Sequence, residues 1–421
     1  MVKKFLIAFF CVAAQGLFAQ NGTVSPYSSF GIGDFRSNSA INNRMMAGIS
    51  MYGDSIHINL QNPAAYGKLL LTTYTAAVSH SELRLEDFTT EQNSSVTNLE
   101  YLSIGFPIAP NVGLGFGIMP YSSVGYNLQD ETTNSMGETV TNAFAGEGGL
   151  NRVYASVGAE IIKNLSIGAT VNFNFGTLEY QRIQSVEDVQ FGTLDRRESR
   201  INGFDINYAL NYTPQIKGKY TLYISALINT QANLTSENSE ELGSFSLANG
   251  QDIEVIDVDL AAVGLRNTEL KVPTRFTAGL GFGKDKKWFL GGEYSFQQFS
   301  EFSNDFLGLD NITYQDASTI AVGGSFIPNY KSLSSYLKRI NYRAGVRYDV
   351  TGLVVNGSEI NNFGINFGLG LPLPNSFSNL NLGFELGRRG TTVANLIREN
   401  YLNISVGLSL NDKWFRKRKI D

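Results

Sequence analysis

His57, His80 and Cys11 are the scarcest reactive residues of this 421-residue chain, which holds two histidines and one cysteine. A serine hydrolase needs a serine, a histidine and a polar orienting group within hydrogen-bond reach of one another. His80-Ser81 puts two of these side by side, but successive residues of an extended strand point to opposite faces and cannot pair directly. Gly48-Ile49-Ser50-Met51-Tyr52-Gly53 departs from the Gly-x-Ser-x-Gly elbow and follows no strand. Gly279-Leu280-Gly281-Phe282-Gly283 has the glycine density of a phosphate loop, yet it reads as mid-strand, where glycines belong to a wall. No metal-ligand spacing is present. The chain is therefore not expected to be an enzyme, and no cofactor or metal is expected. The slight net charge of −5 argues against nucleic acid as a partner.

The elements that position these residues read as strands. In Tyr401–Leu410, Leu402, Ile404, Val406, Leu408 and Leu410 alternate with Tyr401, Asn403, Ser405, Gly407 and Ser409. One face of such a strand meets an apolar medium and the other a polar one. The pattern recurs in Val112–Ile118, Leu165–Phe175, Phe204–Tyr212 and Phe363–Leu371. A soluble core hides one or two such faces, whereas apolar exteriors on nearly every strand need lipid. Beyond the first residues, no apolar run reaches the length of a spanning helix. Composition agrees, with 43 Gly, 28 Phe and 20 Tyr and a charged fraction of 17%.

The predicted fold is all-β, a transmembrane up-and-down antiparallel barrel of about 14 strands. Residues 1–19, with Lys3-Lys4, an apolar run over Phe5–Ala14 and Ala19, read as a secretory signal peptide. Residues 20–61 are too apolar for a disordered tail and too irregular for barrel wall, so they read as a segment folded into the lumen. Residues 62–412 form the barrel and 413–421 a basic periplasmic tail. Short connections (Pro107–Asn111, Ile162–Asn164, Pro214–Lys219, Lys284–Lys287) alternate with long ones (Gln129–Gly148, Gln184–Arg200, Ser236–Glu269, Glu301–Asn311). The turn near Pro328–Leu337 is longer than its side of the barrel requires. Long loops are expected outside the cell and both termini in the periplasm. Acidic residues gather in the long loops, which read as a solvated face. Trp288, Phe289, Trp414 and Phe415 are the expected membrane-interface aromatics. Gly113, Gly115, Gly117, Gly364, Gly368 and Gly370 face inward, where another backbone can approach closely.

Asn62-Pro63-Ala64 before the first strand, Val272-Pro273-Thr274-Arg275-Phe276 leading into a Gly-x-Gly strand, and Lys287-Trp288-Phe289-Leu290-Gly291-Gly292-Glu293-Tyr294 resemble the FadL-like outer-membrane transport proteins. Ser25-Pro26-Tyr27-Ser28 and the Trp414–Lys419 ending resemble the Bacteroidota branch of such barrels. The resemblance implies a channel in the outer membrane of a Gram-negative bacterium for uptake of small hydrophobic compounds, long-chain fatty acids among them. An N-terminal hatch would gate it, and ligand would leave sideways through a gap in the wall. Arg36 and Arg44, with Asn62, Pro63 and Ala64 at the junction with the barrel, are the candidate hatch residues. The expected partners are outer-membrane lipid, lipopolysaccharide, a hydrophobic small molecule and other outer-membrane proteins. Ser236–Glu269 is acidic and serine-rich where the transporters carry an apolar loop pocket, which keeps open a second reading. In that reading the barrel is a non-transporting structural or docking subunit of a secretion or assembly machine.

Overall fold

A computed structural model describes residues 22–307, 311–374 and 376–414. The expected signal peptide and Phe415 lie outside the described residues, as does the tail beyond Trp414. Fourteen antiparallel strands close on themselves. They are β1 (Thr72–Glu86), β2 (Glu91–Ala109), β3 (Val112–Thr133), β4 (Thr139–Ile162), β5 (Leu165–Val186) and β6 (Phe191–Tyr212). Next, β7 runs in two pieces (Tyr220–Asn229, Ala232–Ser246) and β8 in three (Asp252–Asp257, Asn267–Val272, Arg275–Lys284). After β9 (Trp288–Gln297), β10 also has two pieces (Ile312–Tyr314, Ala317–Phe326). The ring is completed by β11 (Asn341–Val355), β12 (Ser358–Pro372), β13 (Asn379–Arg389) and β14 (Arg398–Asp412). Strand β14 pairs with β1 from Thr72↔Asp412 to Glu86↔Arg398, so the sheet leaves no outer edge there.

Burial runs opposite to that of a soluble protein. On β14 the lumen-facing Ser405 and Ser409 are 1% and 4% exposed, while outward Leu402, Ile404 and Val406 are less covered. Outward Leu280, Leu290, Ile320 and Phe367 are all more than half exposed (51–62%). Period-two alternation in a hydrocarbon solvent produces this inversion.

The long connections of the sequence reading are mostly strand. Strand β4 is 24 residues long and β3, β5 and β6 are 22 each, where about 10 residues cross a bilayer. The segment expected to be loop at 129–148 contains only the turn at residues 134–138, and Gln129↔Ala143 and Thr133↔Thr139 pair across it. Polarity there reports water on both faces of a projecting sheet and not the end of hydrogen bonding. Strands β3 to β8 thus rise well above the others.

Residues 22–71 run inside the ring, ten residues further than the expected boundary at 61. Asn62 caps a 3-10 helix, Pro63–Lys68, by accepting from Ala64 N–H at 3.1 Å. This helix rests on the floor formed by Gly113, Gly115, Gly158 and Gly168. A β-carbon on Gly168 would lie 2.3 Å from the Pro63 carbonyl carbon, and one on Gly158 would lie 2.0 Å from its oxygen. Met45 and Met46 approach Gly368 and Gly323 in the same way across the lumen.

Candidate functional site

The wall is interrupted between β2 and β3. Their ladder runs from Ala109↔Val112 to Leu102↔Ile118 and stops. Pro120, which has no N–H to donate, lies two residues further on β3, and the register to β4 slips between Pro120 and Ser122. Beyond this point β3 pairs on one side with β4, and on the other with a short piece of the luminal segment. Asp34↔Ser123 and Phe35↔Ser122 are the pairs, and Arg36 N–H donates to the Tyr121 carbonyl at 2.9 Å. Gly33, at φ +87°, has no room for a β-carbon, which would lie 2.4 Å from the Ser123 carbonyl. Gly22 bridges the two lips of the gap. Its carbonyl accepts from Asn98 of β2 at 2.8 Å, and a β-carbon would touch Ser123 of β3.

Glu100 holds this arrangement. A bulge in the β1–β2 ladder, between Ala77↔Tyr101 and Val78↔Leu99, leaves Glu100 unpaired and turns both Glu100 and Tyr101 inward. Arg36 Nη2 lies 3.0 Å and Arg44 Nη2 2.6 Å from its two carboxylate oxygens, and Ser79 donates a third hydrogen bond. Burial opposes the charge on Arg44, and Glu100 outweighs it, so the guanidinium is held above its ordinary value. The two arginines singled out from sequence therefore converge on one carboxylate beside the gap. An unbroken period of two would put Glu100 on the outward face with Leu102, Ile104 and Phe106, and the bulge reverses it. The available signal was an acidic residue inside an apolar strand.

Further ties fasten the segment around the ring. Asn62 Nδ2 donates to Asn211 at 2.9 Å, Glu293 accepts from Ser50 N–H and Oγ at 2.9 Å, and Arg389 meets Asp34 at 2.6 Å. Ser25 donates to Glu399. Pro63 and Ala64 lie in the capped helix described above, away from the gap. A cavity of about 530 Å³ remains, with Arg36, Arg275, Arg347, Glu293, Glu385 and Tyr401 in its lining. Towards the projecting sheet the lumen is apolar instead, where Ile32 packs with Val124, Leu150, Leu178, Phe299 and Phe302.

Phe289 corrects the interface assignment. It is 4% exposed and faces the lumen, packed on Tyr52 and Tyr223 with ring centroids 4.7 and 5.0 Å away. Adjacent residues of a strand alternate, so only Trp288 of this pair faces outward, against Phe282 and Tyr220. Trp414, 46% exposed, meets Tyr74 edge-on. His80 is outward and bonded to Thr97, so no esterase pairing with Ser81 forms. Among the described residues no group of three acidic, histidine or cysteine side chains suits a metal ion.

His57 instead serves the luminal segment, with Nδ1 2.8 Å from Asp54. Burial raises the Asp54 pKa, but His57 and the Ile56 and His57 N–H groups outweigh burial and hold it near about 2. A carboxylate so depressed stabilises the fold above its unfolded value near ~4 and loses that contribution as pH falls towards about 2. Hydrogen exchange at Ile56 and His57, corrected for intrinsic rates, is expected to accelerate across that window. In Asp54→Asn the step should vanish.

A closed fourteen-strand ring with apolar exterior, luminal N-terminal segment and interrupted wall is the FadL-like barrel fold. The chain belongs to the family described as BamG, whose model matches residues 1–421. Similar solved structures include the Pseudomonas putida toluene transporter TodX, at 15% identity and TM-score 0.62, covering 91% of this chain and 100% of that one. The Ralstonia pickettii toluene transporter TbuX is 12% identical, TM-score 0.57, covering 90% and 99%. A Pseudomonas aeruginosa FadL homologue is 12% identical, TM-score 0.55, covering 90% and 98%. No curated protein matches the chain.

Proposed function

We propose that this protein is an outer-membrane channel for small hydrophobic compounds, with residues 22–71 as its hatch and the β2–β3 interruption as its lateral passage. The observation that carries the reading is the wall gap filled from inside by Asp34, Phe35 and Arg36. A sheet that stops pairing while its neighbours continue leaves backbone groups to be satisfied, and here a movable segment satisfies them. Displacing that segment opens the lumen towards lipid. The apolar cluster around Ile32 and Phe302 favours an apolar solute on the path to the gap. Two of the similar structures, TodX and TbuX, are toluene transporters, so toluene is the first probe and oleate serves as a longer one. In this reading the short turns and both termini face the periplasm.

The test is a lock. Phe35→Cys with Ser122→Cys joins paired positions whose spacing suits a disulfide, in a chain whose sole native cysteine lies in the expected signal peptide. Uptake of toluene and oleate into proteoliposomes is expected to fall to the protein-free level when oxidised and to return on reduction. A second reading, a non-transporting subunit, is favoured by the charged cavity and by the ion pairs that fasten the segment. Absence of uptake by the unlocked wild type, together with a stoichiometric partner in native membranes, decides for it.

A further inference from the structure

The long turn at the short-turn end has a built surface. Residues 327–340 join β10 to β11 and contain no acidic residue, while Lys331, Lys338 and Arg339 are basic. The excursion is folded against neighbouring turns. Ile327 N–H donates to the Lys287 carbonyl at 2.8 Å, Asn329 N–H to Lys338 at 2.7 Å and Tyr336 Oη to Pro372 at 3.2 Å. Yet its apolar side chains are left outside this packing. Leu333 is fully exposed, Leu337 65% and Tyr330 52%. Lys286 of the adjacent turn lies over the Tyr330 ring at 5.2 Å, and Lys287 over Phe326 at 5.3 Å. Asp285 is the one acid of that turn.

Two features identify what covers this surface. It is continuous with the aromatic rim of the membrane wall, since Phe326 and Tyr342 at its two roots are outward and exposed beside Trp288. Its charge is uniformly positive apart from Asp285, and its exposed apolar groups sit among those cations. Aromatic and leucine side chains enter the headgroup layer, and lysines reach phosphates from flexible apolar stems. We infer that residues 327–340, with Lys286, bind the anionic phospholipid headgroups of the leaflet at this end of the barrel. The contact anchors the β9–β11 side of the wall, where β9, at 10 residues, is the shortest strand of the ring, and it holds whether or not the lumen conducts.

The experiment compares the full chain in nanodiscs of equal phosphatidylcholine and phosphatidylglycerol, with retained lipids counted by native mass spectrometry. Wild type is expected to retain phosphatidylglycerol about fivefold or more over phosphatidylcholine. The triple variant Lys286→Gln, Lys331→Gln, Lys338→Gln should fall to parity, while the corresponding lysine-to-arginine triple keeps the preference. Unboiled gel mobility shows that each variant is folded. No preference in wild type, or an unchanged preference in the glutamine triple, overturns the inference. So does loss of a co-purifying protein by the glutamine triple with its lipid retention intact, which would assign the surface to a protein partner.

Discussion

Glu100→Gln is expected to free the luminal segment from the wall at a cost of about 3–5 kcal/mol, the usual penalty for removing one partner of a buried ion pair. Glu100 is 3% exposed on its side chain and is shared by Arg36 and Arg44, which are 17% and 8% exposed. Glutamine keeps the shape, but its NH2 replaces one accepting oxygen, so the charge and one arginine's acceptor are lost together. Two guanidinium groups would then remain beside the β2–β3 gap without a carboxylate. Urea unfolding in lipid vesicles should show a lowered midpoint, and trypsin should cut after Arg36 and Arg44 in the folded barrel. Adding Arg44→Gln to Glu100→Gln should recover part of the loss, because the uncompensated charge is what destabilises. If the single variant unfolds and resists trypsin as wild type does, Glu100 is not the latch.

Gly168→Val should be nearly as damaging, by about 3 kcal/mol, the upper part of the range for overpacking a filled interior. The first added carbon alone would stand 2.3 Å from the Pro63 carbonyl carbon and 2.5 Å from Ala64 N, and both are backbone. Neither atom can swing away as a side chain does. The Pro63–Lys68 helix would have to lift off its floor, breaking the Asn62–Asn211 contact that lies beside it. Gly292→Val is the control, since the nearest atom to its added carbon is 3.7 Å away. Heat-induced conversion of the compact gel band, measured for both, is expected to shift strongly for Gly168→Val and little for Gly292→Val. Equal shifts would show that strand propensity and not the luminal contact is being measured.

Much of this site was within reach of the sequence in kind but not in place. Arg36 and Arg44 stood out, yet nothing local tells an arginine which strand it will meet, and their common partner lies on β2. Glu100 escaped because alternation assumes an uninterrupted ladder, and a single bulge reversed the side it faces. Phe289 escaped in the opposite way, through reading an aromatic pair as one motif where strand geometry separates its members. The polar stretches at 129–148 and 184–200 read as loops because a strand above the bilayer, wet on both faces, loses the apolar alternation that reveals one within it.

The residues alone determined the barrel, since a face of Leu, Ile, Phe and Val repeated over many strands has one stable partner, and that is lipid. They also determined that a short, irregular, moderately apolar segment precedes the wall. Which wall seam stays unpaired was decided only in three dimensions, where Pro120 ends one ladder and Asp34 and Phe35 take up the exposed edge. The path of the segment was likewise decided there, by glycines whose missing β-carbons admit Pro63, Tyr66 and Met46. Period-two patterning is a local property of one strand facing one solvent. A gap, a latch and a floor are relations between residues tens to hundreds of positions apart, and only the closed ring brings them within reach.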